Sequence, residues 1–296
     1  MSATEIREIP AVRLFVLFIT FFISLVLTGF IAIGIGEIGW IGEREKVLIT
    51  SAIQCLLAFC FPAWFTARFC TPHPDKWLYL NRAPSFWSFL GVVIAFIIVI
   101  PALNWLVDWN QNLHLPESMK SVEETLRGWE DANSGIVEKM LSGASPLILT
   151  FAVLIVGLLT GFSEELFFRG GLQNILTRSN VAPWVAVWLT AFIFSALHFQ
   201  FFGFIPRLFM GAFFGYLLIW SRNLWLPIFA HAFNNSIVVL TFNSGMLEQK
   251  EIFENVGIAQ SDSFPWIALS SFVLFLVFIY FFRTYLTSRK GKQKYG

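Results

Sequence analysis

Long apolar runs alternate along the chain with short polar or basic breaks, and a run of roughly 20 apolar residues is what an α-helix needs to cross a bilayer. Eight such runs stand out, at about 12–34, 47–67, 87–107, 146–168, 182–201, 203–221, 224–244 and 264–284. They predict an all-α, polytopic membrane protein of about eight transmembrane helices. A single long polar connection interrupts them, from Asp108 to Ser145. Within it Met119, Val122, Leu126 and Trp129 recur at helical spacing among charged residues, which predicts an amphipathic helix on the outer membrane face. The expected organisation is a three-span region over 1–144 that includes this extracytoplasmic segment, a core over 145–246, and a last span with a basic tail over 247–296.

Composition agrees with the pattern. The 296 residues are 56% hydrophobic and 13% charged, whereas soluble domains carry about a quarter charged residues. A cytosolic enzyme, a disulfide scaffold and a disordered chain are thereby excluded. The formal net charge of +1 offers no basic surface for nucleic acid, so the partner expected from composition is the lipid bilayer. Cys55, Cys60 and Cys70 cluster in or after the second run with no C-x-x-C or zinc-knuckle spacing, and read as packing residues.

The first run is too long for the apolar core of a signal peptide and no A-x-A-like site follows, so it reads as a retained first helix. Orientation follows from Lys and Arg on alternate sides of the membrane: thirteen flank one side and seven the other. The richer side includes both ends of the chain, which predicts cytoplasmic termini. The tail residues Arg289, Lys290, Lys292 and Lys294 read as a topology anchor that also has the charge to touch anionic lipid.

Chemistry concentrates in the core. From Ser145 to Met246 the acidic residues are Glu164 and Glu165, adjacent in Gly161-Phe-Ser-Glu-Glu-Leu-Phe-Phe-Arg169. An ionisable group at membrane depth costs about 3 kcal/mol on insertion scales, so such a pair is a functional signal. Glu165 and Arg169 are four apart and share a helix face, whereas Glu164 points about 100° away and is left free. The bland alternative puts both glutamates at a hydrated cytoplasmic rim, with Gly170 and Gly171 ending the helix. As a control, the pair Glu123-Glu124 with Arg127 on the amphipathic segment reads as a solvated face without function. Of four histidines, His73 and His114 fall in loops, and His198 and His231 in apolar helices; Asn235 shares a face with His231, with Asn234 beside it. A carboxylate, two imidazoles and an amide on successive spans are the groups needed for water activation with oxyanion stabilisation.

These motifs, Glu-Glu-x-x-x-Arg at 164–169, Phe-x-x-x-His at 194–198 and His-x-x-x-Asn at 231–235, resemble those of the CPBP family of intramembrane proteases. That family joins the CAAX prenyl endopeptidases with bacterial bacteriocin-processing and immunity (Abi) proteins. Gly211, Gly215 and Leu224-Trp-Leu-Pro-Ile-Phe-Ala-His231 also resemble the family's run between its second and third motifs. The similarity covers about Ser145 to Asn243. It implies a multi-pass protein of a bacterial or archaeal cell membrane, a glutamate-dependent endopeptidase acting on a peptide or protein, with no cofactor and no required metal. Its site would open toward the cytoplasm from within the bilayer. Glu164 with His198 would activate water, His231 with Asn235 would hold the oxyanion, and Glu165 with Arg169 would organise the site. The residues alone leave open which histidine does which task.

Three other readings fit parts of the pattern. Two histidines and a glutamate can hold zinc, although no H-E-x-x-H is present. Ser163 has no evident oxyanion hole. Buried carboxylates also serve transporters and non-enzymatic immunity proteins, although the chain shows no repeat.

Overall fold

The computed structural model describes residues 3–243 and 264–292, and every regular element among the described residues is helical. In chain order the main helices are α1 (Pro10–Gly36), α2 (Glu43–Cys70), α3 (Phe86–Gln111), α4 (Lys120–Leu141), α5 (Pro146–Arg178), α6 (Pro183–Ala196), α7 (Phe204–Ser221), α8 (Trp225–Asn243) and α9 (Trp266–Lys292). Seven of them are long and apolar enough to cross a membrane; α4 and α6 are the exceptions. The protein is an all-α, multi-pass membrane protein. The basic tail expected to touch lipid lies outside the residues whose side chains are described, as does the 246/247 boundary.

The fifth expected span is the short one. α6 has 14 residues, about 21 Å of helix against a hydrocarbon core of about 30 Å. It stops because the carbonyl of Phe194, in its last turn, is taken by the ring of His198 at 2.8 Å, and Ser195 Oγ donates to the Phe204 carbonyl at 2.7 Å. His198 therefore sits in the turn after the helix rather than within it. Irregular backbone at membrane depth is tolerated where protein surrounds it or a cavity is lined.

Two close approaches set the geometry of the core. α5 and α7 are joined by a ladder: Arg169 Nη2 donates to the Gly211 carbonyl at 2.7 Å, and one turn on Gln173 Nε2 donates to the Gly215 carbonyl at 3.0 Å. A Cβ on Gly215 would lie 2.6 Å from Gln173 Oε1, so glycine is what admits these side chains. Gly203 does not belong to this contact. It lies in the turn before α7, beside the Arg207 guanidinium and the Glu130 carboxylate. The second approach is between α5 and α8, where a Cβ on Gly161 would lie 2.7 Å from the backbone nitrogen of Ala232.

α3 and α9 form a flank. Pro101 interrupts the ladder of α3, and the buried Ser271 hydroxyl inserts there, donating to the Ile98 carbonyl at 2.5 Å and accepting from the Ala102 N–H at 3.3 Å. This supplies the backbone groups with partners that lipid cannot offer.

The amphipathic α4 forms as expected, with Met119 before its start and Val122, Trp129 and Ile136 exposed. The control pair on it behaves otherwise than the pattern suggested. Glu123 accepts from the Leu115 N–H at 2.8 Å, from Arg127 Nε at 2.9 Å and lies 3.0 Å from His114 Nδ1. The Leu115 N–H, then Arg127, hold its carboxyl down to about 2. Its role is to pin the loop leading into α4, which helical spacing cannot reveal because that loop lies outside the helix.

The Gly161 contact is against backbone and cannot be relieved by a rotamer change. Gly161→Val is expected to force α5 and α8 apart, costing about 1–3 kcal/mol and lowering the melting temperature in detergent. A thermal scan showing no change would mean the two helices do not touch there.

Candidate active site

Helices α5, α6, α7 and α8 contribute the polar groups of the core. α5 has π-helical turns over Val153–Leu159 and Leu166–Gln173, either side of the turn that bears Glu164 and Glu165. Such bulges often occur at functional sites, where an extra residue per turn re-aims side chains. Gly170 and Gly171 do not end this helix: both are buried inside it, packed on Leu78, Leu224 and Leu17. The hydrated rim is thus replaced by a buried site.

Glu165 and Arg169 have no exposed surface and meet through Arg169 Nη1 and Glu165 Oε1 at 2.6 Å. The guanidinium also lies over the Phe194 ring, 4.8 Å from its centroid. Its charge is thus met by a carboxylate, a carbonyl and an aromatic face drawn from three helices.

His231 stands between the two glutamates. Its Nδ1 is 2.8 Å from Glu165 Oε1, and its Nε2 is 3.8 Å from Glu164 Oε2. The ring stacks on Phe214 at 5.1 Å and meets the edge of Phe194 at 5.7 Å. Because a carboxylate oxygen accepts, Nδ1 carries the proton and Nε2 faces Glu164. Glu164 Oε2 is buried without a hydrogen-bond partner among the described residues. The expected divergence of the two glutamates is therefore partial: they approach different nitrogens of one imidazole.

His198 is half-buried in its turn, and its ring packs edge-on to Phe194 at 5.0 Å. The Phe194 carbonyl fixes the proton on Nδ1, leaving the Nε2 lone pair available. No hydrogen bond joins Glu164 to His198 among the described residues. Asn235 donates from Nδ2 to the Val156 carbonyl at 3.2 Å in the first π-helical turn, and its Oδ1 accepts from Asn234 at 3.3 Å. One Nδ2 hydrogen remains.

Sequence reasoning missed three contributors: Gly161, which sets the distance between the glutamates and His231; Gln173, the second rung of the ladder; and Arg207, whose Nη1 is buried and has no hydrogen-bond partner among the described residues. The Gly157/Gly161 spacing of four was a readable signal for the first. Arg207 falls at the edge of an apolar run, so by sequence it reads as one of the seven flanking charges on the poorer side. With Arg169 and Arg207 both in the site rather than at an interface, the flanking charges stand at twelve against six, and the bias is kept.

Fold and site together define a multi-pass membrane protein with an ionisable cluster enclosed by its own helices. The segment that builds the site, residues 146–237, matches the family described as type II CAAX prenyl endopeptidase Rce1-like. The chain is also similar to the uncharacterized protein YpbD of Bacillus subtilis (strain 168), 30% identical over 103 residues, which are 33% of this chain and 48% of that protein. The chain thus spans about half the length of the curated relative it matches. No solved structure matches it.

Removing one member of a buried ion pair strands the other, a cost of about 3–5 kcal/mol. Arg169→Met and Glu165→Gln are each expected to lower the melting temperature, and the double variant to recover part of the loss. Additive losses in the double variant would show that the two residues do not act as a pair.

Proposed function

We propose that this chain is an intramembrane endopeptidase of the CAAX type that hydrolyses a peptide bond with water activated by Glu164. The observation that carries the reading is the asymmetry of the two carboxylates around one imidazole. Each of the two keeps a buried Oε2 without a partner, but Glu165 Oε1 is shared by Arg169 and His231, whereas Glu164 makes no hydrogen bond among the described residues and its ion-pair contact is His231 Nε2 at 3.8 Å. A carboxylate so placed suits a general base.

In the proposed reaction the Nε2 lone pair of His198 orients water, and Glu164 takes its proton as the oxygen attacks the scissile carbonyl. The negative charge passes to the carbonyl oxygen. His231, with Nδ1–H held by Glu165, donates from Nε2 to that oxygen in its doubly protonated form. Asn235 adds its remaining Nδ2 hydrogen. Glu164 then returns the proton to the departing amine, so one water yields one carboxylic acid and one amine. Within this reading Glu165 and Arg169 act through His231 and not on the substrate.

The metal-free mechanism is part of the proposal. Among the described residues no group of three His, Cys, Asp or Glu is placed to hold a metal ion, and the engagement of His231 Nδ1 with Glu165 leaves its Nε2 open to either mechanism, so chelation decides the point. We also place both termini in the cytoplasm, on the retained Lys and Arg bias, which requires the short α6 with its following turn to act as an eighth crossing beside the seven long helices, with α4 on the opposite side and the core of 145–246 as the catalytic unit.

Purified protein in detergent should cleave a farnesylated CAAX-terminated peptide. Glu164→Gln, His198→Ala, His231→Ala and Asn235→Ala should each reduce the rate by at least about a hundredfold, in the range of a lost general base or oxyanion donor, with melting temperatures preserved. Full activity in Glu164→Gln removes the base assignment. Activity should persist after exhaustive chelation; one tightly bound zinc per chain, with activity lost to chelator and restored by zinc, would replace this mechanism by a metalloprotease one. Reporter fusions after Gly296 and at Glu130 should label opposite sides of the membrane, and labelling on one side overturns the orientation.

A further inference from the structure

Arg207 lies on α7 four residues before Gly211, on the face from which the Gly211 carbonyl meets Arg169. Its Nη2 donates to Gln200 Oε1 at 2.7 Å in the turn that follows His198, and its Nη1 is buried with no hydrogen-bond partner among the described residues. Its charge is felt by Glu164, His198 and Glu130. Glu130 does not close an ion pair with it among the described residues, and the Glu130 Oε2 accepts instead from the Phe202 N–H at 3.1 Å. The mechanism above gives Arg207 no task.

A guanidinium offers five donors in a planar fork that matches a carboxylate bidentately. Placing it at membrane depth without a full set of acceptors is costly, so such a cation is a functional signal. The chemistry proposed for this site brings an anion to it. A CAAX motif is the C-terminal end of a chain, so every bond within it lies within three residues of a free carboxylate. Three extended residues reach about 10 Å, and Arg207 is one helical turn, about 6 Å of rise, from the Gly211 carbonyl that meets the Arg169 cluster. That carboxylate would enter a site already holding Glu164 and Glu165. Arg169 cannot offset it, being enclosed by Glu165, Gly211 and Phe194.

We propose that Arg207 binds the free C-terminal carboxylate of the substrate and so restricts cleavage to the ends of chains. This rests on the endopeptidase reading. It makes Arg207 a specificity-determining residue, with Gln200 positioning its guanidinium through the 2.7 Å bond.

The test compares two farnesylated CAAX peptides that differ only in ending as a free acid or as a C-terminal amide. Charge-assisted hydrogen bonds contribute about 1.5–3 kcal/mol, so the wild-type protein should prefer the acid by about tenfold or more in kcat/KM, chiefly through KM. Arg207→Gln should erase the preference, lowering kcat/KM for the acid about tenfold more than for the amide, and Arg207→Lys should keep part of it. Equal wild-type cleavage of acid and amide overturns the proposal. So does an equal loss on both peptides in Arg207→Gln, which would mark Arg207 as a structural partner of Glu130.

If no peptide is cleaved by the wild-type protein, the endopeptidase reading fails, and equilibrium binding of the same two peptides decides the carboxylate site separately. Tighter binding of the acid that is lost in Arg207→Gln or weakened in Arg207→Lys sustains it. Indifference to the terminus overturns it.

Discussion

The Arg169 guanidinium is the fixed point of this membrane core. It is fully buried, and its two described hydrogen bonds tie Glu165 on its own helix to the Gly211 carbonyl on α7. The Phe194 ring of α6 covers its face, and the Glu165 oxygen it binds also holds His231 of α8. One cation thus organises four helices. In lipid, where helix association has little hydrophobic driving force, such hydrogen bonds and close glycine contacts are what remains to specify an arrangement. The cation also makes Glu165 tolerable, and Glu165 in turn orients His231.

This arrangement separates two adjacent glutamates by environment instead of by sequence. One is held through Oε1 by Arg169 and His231, and the other makes no hydrogen bond among the described residues, although each keeps a buried Oε2 without a partner. Pairs of titratable groups whose surroundings push them toward different roles are the usual signature of acid–base chemistry. The rest of the fold serves that separation: the α6 turn presents His198, the π-helical turns of α5 re-aim its polar face, and Gly161 brings α8 close enough for its imidazole to lie between the carboxylates. Phe194 touches Arg169, His198 and His231 and sets the spacing between them.

Buried amide side chains close the ends of the helices that carry the cluster. Asn110 accepts from the Ile205 N–H at 2.9 Å near the start of α7, and Asn223 accepts from the Trp225 N–H at 2.9 Å at the start of α8. Asn174 donates to the Trp77 carbonyl at 2.8 Å, tying the 71–85 connection to α5. Each satisfies a backbone group that lipid would leave unpaired. The ends of the site helices are therefore held from both sides of the membrane.

The sequence by itself determined the class of fold, the amphipathic helix, the Glu165–Arg169 pair and the three motif positions. These are local properties: hydropathy over about 20 residues sets a span, and a separation of four sets a helix face. Only the tertiary structure decided that α6 stops short, because the His198 ring, donating to the Phe194 carbonyl, and the Ser195–Phe204 bond act across a turn. It decided that Gly203 stands apart from the Gly211 and Gly215 ladder, that Gly170 and Gly171 lie inside a continuous helix, and that Glu123 pins a loop. It also brought Glu164 toward His231, 67 positions away in the chain, and left Arg207 with a donor to spare. Contacts between helices depend on which faces meet and at what depth, and periodicity along one helix carries no record of its neighbour's register.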